Sequence, residues 1–226
     1  MLIAEDIVLL VTDDETGKKA STSTGLDAAL AGALLIELAI RERVELEGKG
    51  RKAKVVVRDS TPTGEPLLDE ALTRLSGSAP VTPATAVNRL SKKIQSRVHD
   101  SLAERGILRR EEGRVLGIFP VTRWPAADSA HEAALRAQLH DALVVGVDPA
   151  PDVAATICLL RAGDLLNAAV DKTDRSVAKK RAKEIESVTW ASDGVRQVVE
   201  AANAAVMVVV MAAATMTMVA GAASSG

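Results

Sequence analysis

From Ala201 to Gly221 the chain carries no charged residue and is dominated by Ala, Val and Met (AANAAVMVVVMAAATMTMVAG). A stretch of this length has to hide from water almost all round. It can do so as the central helix of a packed domain, or in a bilayer, where a span takes ~20 apolar residues. Alanine drives membrane insertion weakly, Asn203, Thr215 and Thr217 interrupt the run, and no basic flank follows Gly221. The expectation is therefore a buried helix with others wrapped around it, not a tail anchor. The rest of the core has to match. Phe119, Trp124 and Trp190 are the only aromatic residues, so the interior is built from Ala, Val, Leu and Ile. That favours helices packed closely through small side chains and disfavours a stacking platform for single-stranded nucleic acid. The expected fold is mainly α, a single globular domain of amphipathic helices over residues 1–222 with two short β-hairpins and a frayed tail at 223–226.

The 226 residues suffice for a substantial core. With a net charge of −2, no global field draws the chain to nucleic acid or anionic lipid, so any such binding needs a local patch. The one cysteine, Cys158, lies in the apolar run Ala154–Leu160, which allows no internal disulfide framework and suits the cytosol. Met1 leads into LIAEDIVLLV, whose internal acids do not read as a signal peptide. High Ala, Arg and Val usage is what a GC-rich bacterial genome produces.

Leu2–Val11 is short and apolar, and periodicity does not separate helix from strand there. Asp13–Lys19 (DDETGKK) marks a turn, with Asp13, Asp14 and Glu15 in solvent. Leu26–Ile40 reads as helical with a break near Gly32. Within GALLIELAIRERVEL (Gly32–Leu46), Leu34, Leu35, Leu38 and Ile40 sit near helical spacing while Glu37, Arg41, Glu42 and Arg43 face water. A charged break, EGKGRK (Glu47–Lys52), lets Val44–Leu46 pair with Ala53–Arg58 as a first hairpin. In DSTPTGEPLLDEAL (Asp59–Leu72), Ser60, Thr61 and Thr63 are available as caps, Pro66 fits a first helical turn, and Glu65 suits its positive end.

Thr82 as N-cap and Pro83 at the first position open a helix that runs to about Arg105 and stops at Gly106. Val87, Leu90, Ile94, Val98 and Leu102 form its buried stripe, and Arg89, Lys93 and Arg97 step by four along another face beside Lys92. Ile107–Phe119 reads as a second hairpin with its tip at Glu111–Gly113, an apolar arm of Val115, Leu116, Ile118 and Phe119, and Pro120 and Pro125 closing it. Further helices are expected over Ser129–Val144 and Asp152–Val170. Asp171–Glu186 is a charged helix or helix pair, with six basic residues against four acidic.

LLIELAIRERVEL followed by DSTPTGEPLLDEAL resembles the core signature of the Golgi phosphoprotein 3 family, with further echoes in LAERGIL (Leu102–Leu108) and DPAPDVAATICLLRAGDLL (Asp148–Leu166). The likeness runs from Leu2 to the start of the last helix. With the composition, it implies a bacterial member. It also implies a mostly helical, non-catalytic, cytoplasmic protein, peripheral on the inner face of a membrane. Its ligand would be an anionic phospholipid headgroup, phosphatidylinositol 4-phosphate by resemblance, and its clients membrane enzymes. The family's basic N-terminal tail, which recruits coat proteins, has no counterpart in this sequence. The C-terminal run is longer than the family's, which leaves its last turns free to protrude toward a partner or lipid.

By the resemblance, two basic positions of the family's headgroup pocket fall on Lys92 and Gln95, an arginine falls on Ala31, and a tryptophan near Thr22. One of these four keeps its chemistry. Capture of an anion needs several convergent cationic donors, and Lys92, Lys93, Arg97 and Arg89 are the candidates, against the plain alternative of a solvated helix face. The second hairpin corresponds to one used for membrane contact or self-association. Arg110, Arg114, Leu116, Ile118 and Phe119 are its candidates, with Arg109 beside them. A homo-oligomer is a further possibility. Two rival readings stand: a soluble protein-interaction scaffold, and a winged-helix-like DNA-binding protein in which the basic helix enters the major groove. Net charge weighs against nucleic acid. No catalytic residue, metal site or cofactor is expected: His99, His131 and His140 lack ligand spacing, HEAAL (His131–Leu135) lacks a second His, and there is no phosphate loop or nucleophile elbow.

Overall fold

The computed structural model describes residues 1–12, 23–77, 79–115, 119–187 and 193–223, so the turn expected at Asp13–Lys19 lies outside the described residues. The ambiguous N-terminal run is a helix, α1 (Ile3–Val11), buried at every position including Glu5 and Asp6. Its free N–H groups are met by carboxylates. Leu2 N donates to Glu5 Oε2, and Ile3 N to Glu37 Oε1, each at 3.0 Å. The positive end of a helix favours such partners.

Glu37 belongs to α2 (Ser23–Ile40), and here the structure departs from the expected amphipathic helix. Every residue from Ala28 to Ala39 is buried, so Glu37 faces α1 and not water. Nor is there a break at Gly32. The glycine is a packing device: a Cβ there would stand 2.9 Å from Leu159 Cδ2 and 3.1 Å from Val206 Cγ2. One end of the helix crosses even more tightly, since a Cβ on Gly25 would lie 2.2 Å from the Gly163 carbonyl oxygen.

The first hairpin forms as expected, with β1 (Val44–Glu47) antiparallel to β2 (Lys54–Val57) in the register Val44↔Val57 to Glu47↔Lys54. Helix α3 (Pro66–Ser76) starts with Pro66 in its first turn. Thr63 does not act as its N-cap. It donates from its N–H and its hydroxyl to Asp69 Oδ1, at 2.5 and 2.6 Å, and so ties the TPTG turn to the helix. These bonds hold the Asp69 carboxyl below its ordinary value.

The expected helix Thr82–Arg105 is two helices, α4 (Pro83–Leu90) and α5 (Ile94–Glu104), parted where Lys93 adopts a left-handed backbone (φ 58°). Thr82 caps α4 through Thr85 N at 3.2 Å. The stripe of Val87, Leu90, Ile94, Val98 and Leu102 is buried throughout. Gly106 (φ 71°) ends α5, with Gly106 N donating to Ala103 O and Ile107 N to Leu102 O. These are the two bonds of a Schellman cap.

In the second hairpin, β3 (Glu111–Val115) pairs with β4 (Phe119–Arg123) from Glu111↔Arg123 to Val115↔Phe119. Glu111–Gly113 is therefore the first arm and not the tip, and Pro120 pairs with Arg114 instead of closing the unit. Leu116 and Ile118 lie outside the described residues, as do Trp190 and the last three positions. Helix α6 (Ala130–His140) continues into a widened turn over Asp141–Val145. The helix expected over Asp152–Val170 divides into α7 (Pro151–Ala162) and α8 (Leu166–Ala169), because the chain turns at Gly163 and Asp164 (φ 56°). Then come α9 (Arg175–Ser187) and α10 (Asp193–Ala223).

The helices are thus arranged around α2, which touches α1, α3, α4, α5, α7 and α10. The C-terminal helix does not hold the central place expected of it. It packs on α2, α4 and α7 with Val198, Val199, Ala202, Ala205 and Val206 buried, then presents Val208 and Met211 to solvent, 57% and 69% exposed.

Candidate anion-binding face

The break between α4 and α5 sets the geometry of the basic face. Three carbonyls near the end of α4 are gathered by one side chain: Arg74 Nη1 donates to Arg89 O, Leu90 O and Lys92 O at 3.3, 3.4 and 3.1 Å. Glu70 pairs with Arg74 at 2.8 Å and also with Arg97. The stripe expected from a spacing of four is therefore not one face. Arg97 turns toward Glu70, half-buried, and Arg89 is half-buried as well. Lys92 and Lys93 sit on the break itself, exposed, and no ion pair joins either to another described residue.

Of the other expected pocket positions, Thr22 lies outside the described residues, and Gln95 and Ala31 are engaged differently. Gln95 is buried, its Nε2 donating to Asp27 Oδ1 at 2.9 Å. Ser91 Oγ donates to Asp27 O at 3.3 Å, and Ala31 is wholly buried in α2. Where selective recognition would place cationic donors, this chain has an amide held by a carboxylate. The Asp27 charge opposes a phosphate there, and Lys92 and Lys93 are exposed on the break.

The second hairpin carries its arginines in pairs with acids: Arg110 with Glu112 at 3.1 Å and Asp100 at 3.9 Å, and Arg109 with Glu111 at 4.0 Å. The Arg110 guanidinium also lies 5.8 Å from the ring centre of Trp124, whose far neighbour is His99 at 5.0 Å. Arg114 and Phe119 occupy the strands, paired in register with Pro120 and Val115. A recognition helix for duplex DNA would have to cross the break at Ser91–Lys93.

Two features escaped the sequence. One is a set of buried acids on and around α1. Glu5 accepts from Ser101 Oγ at 2.9 Å and Arg105 Nη1 at 2.7 Å, Asp6 meets His131 Nε2 at 2.8 Å, and Glu132 accepts from Arg136 Nε at 2.6 Å. Burial pushes the carboxyls of Asp6 and Glu37 above their ordinary values, against the pull of His131 and of the Ile3 N–H. Among the described residues no cluster of His, Cys, Asp and Glu is arranged to hold a metal ion. Cys158 is buried and its thiol is pushed up to about 12 by that burial, so it is core as expected. The other feature is a groove of about 810 Å³ between α10, the start of α4 and the β1–β2 loop. The density of cations in GKGRKAK was the available signal for one wall of it.

The Golgi phosphoprotein 3 (GPP34) family model matches residues 3–202, from α1 to the middle of α10. Vacuolar protein sorting-associated protein 74 of Eremothecium gossypii is 27% identical over 164 residues, an alignment covering 64% of this chain and 49% of that protein. The chain thus spans about half the length of the curated relative it matches. The match takes in the signature blocks in α2 and α3, the divided basic helix and the second hairpin, and by it the chain belongs to the Golgi phosphoprotein 3 family.

Proposed function

We propose that this protein docks peripherally on an anionic membrane surface, with Lys92 and Lys93 as the headgroup contacts and Arg97 and Arg89 adding to the local field. The observation that carries the reading is the pair of exposed lysines, unpaired among the described residues, at the break between α4 and α5. Family membership supports it, since the family's headgroup pocket includes the position of Lys92. Each lysine held near an anionic surface contributes ~1 kcal/mol. Selectivity for phosphatidylinositol 4-phosphate is weak on this reading, because Gln95 is held by Asp27 and Ala31 offers no donor. The hairpin, with Arg110, Arg114, Leu116, Ile118 and Phe119, is the second contact or a self-association arm. The role is non-catalytic, on the cytoplasmic face of a membrane, with membrane enzymes as clients by resemblance.

The test is co-sedimentation of the full chain with phosphatidylcholine vesicles, alone, with phosphatidylglycerol, and with phosphatidylinositol 4-phosphate. Binding to both anionic vesicles is expected, weakened about thirtyfold or more in Lys92→Glu/Lys93→Glu. Binding unchanged in that variant would remove the lysines from the mechanism.

A further inference from the structure

The family match ends at residue 202, but α10 continues to Ala223. Val195–Thr215 is long and apolar enough to cross a membrane by length and composition, yet only its first part is covered by protein. Past Val206, Val208, Met211, Ala212, Ala214 and Thr215 are exposed, and no charged residue occurs from Ala201 onward. A helix with no polar face is poorly suited to water. Its one exposed hydroxyl among these, on Thr215, is satisfied within the helix by Met211 O at 3.2 Å and Ala212 O at 2.8 Å. Such back-bonding is what lets a hydroxyl enter hydrocarbon. Met207, Val209 and Val210 still pack partly on the core. From Met211 to Ala223 the helix extends roughly 20 Å, less than the ~30 Å of a hydrocarbon core, so it reaches into a bilayer without crossing it.

The choice of lipid as the occupant comes from what stands beside the helix. The β1–β2 loop lines the same groove as Ala204, Ala205 and Val208, through Gly48, Lys49 and Gly50. Lys49 and Lys52 are exposed, and neither is joined by an ion pair to another described residue. Arg51 and Lys54 add to the sequence charge of that segment. Arg196 and Glu200 of α10 line the same groove, and past them the helix is uncharged. An uncharged helix end next to exposed lysines matches a membrane with an anionic surface and an apolar interior.

We propose that the second half of α10 inserts into the hydrocarbon of an anionic membrane while Lys49 and Lys52 contact the headgroups. This deepens the peripheral docking proposed above and rests on it for the membrane, but it uses a different face. Cys158 is buried, so a Met211→Cys variant of the full chain takes an environment-sensitive fluorophore at position 211 alone. On phosphatidylcholine–phosphatidylglycerol vesicles the label should shift to the blue and be quenched by lipids carrying quenchers on the acyl chain. Lys49→Glu/Lys52→Glu should weaken that response about thirtyfold or more. Co-sedimentation with a silent label overturns the insertion and leaves docking through Lys92 and Lys93 in place. A blue shift that persists in Lys92→Glu/Lys93→Glu supports insertion and counts against the lysine pair at the α4–α5 break. A blue shift without vesicles, together with a doubled mass in light scattering, overturns insertion in favour of pairing between two copies.

Discussion

Helices α2 and α10 lie against each other, and their burial does not follow where their charges sit. α2 carries Asp27 and Glu37, yet it is buried on all sides from Ala28 to Ala39. The second half of α10 carries no charge, and from Val208 to Thr215 most of its side chains are exposed. The presence of charged residues therefore does not by itself decide which helix is central here. Shape matters: Gly25 lets Gly163 close on α2 at a distance that a Cβ would not permit, and Gly32 lets Leu159 and Val206 approach where a Cβ would be crowded. The charges within α2 are tolerated because each has a partner, the Ile3 N–H for Glu37 and the Gln95 amide for Asp27. In α10, full burial among the described side chains ends at Val206, and Met207, Val209 and Val210 are only partly covered by the core.

The difference can be broken by substitution. The largest effect is expected for Leu35→Ala in α2, wholly buried, at about 3 kcal/mol of unfolding free energy. Met211→Ala in α10 is expected to stay within about 0.5 kcal/mol. Equal losses in denaturant titrations of the two variants would mean that α10 is covered in solution. Gly25→Ala comes next, at about 2 kcal/mol, since the added methyl meets a backbone oxygen and not a flexible side chain. An unchanged melting temperature would show that α2 and α7 can separate freely at that end.

The smallest effect concerns Glu37. Its carboxyl is raised by burial above the 4.5 of a free side chain, so the folded state binds the proton more tightly than the unfolded one. Ionised Glu37 then costs stability at neutral pH, and the cost is relieved as pH falls through the folded value toward 4.5. Glu37→Gln keeps an acceptor for the Ile3 N–H. It should be at least as stable as wild type at pH 7, with the gap closing in acid. A gap that widens on acidification would reverse the assignment.

Much of this arrangement was legible beforehand, for local reasons. The Thr82–Pro83 start, the stop at Gly106, the first hairpin and the buried stripe from Val87 to Leu102 are all short-range signals, and each is present. The misread parts depend on tertiary partners. Periodicity runs unbroken from Leu90 to Ile94, and Lys93 takes a left-handed backbone where Arg74 collects the carbonyls around it. Glu37 looked solvated because nothing within its own helix announces that the N–H groups of α1 will meet it. For the basic face, residue types and exposure of Lys92 and Lys93 were readable. The diversion of Arg97 to Glu70, 27 positions earlier in the chain, was not.

The most direct measurement is the partition of the intact chain between buffer and vesicles as salt is raised, with neutral phosphatidylcholine vesicles run beside anionic ones. Docking through exposed lysines predicts binding to the anionic vesicles at low salt. That binding should weaken as the screening length falls toward ~8 Å near physiological ionic strength, with little uptake by the neutral ones. No sedimentation with anionic vesicles at low salt, from a chain that is folded and monodisperse, would contradict membrane docking altogether.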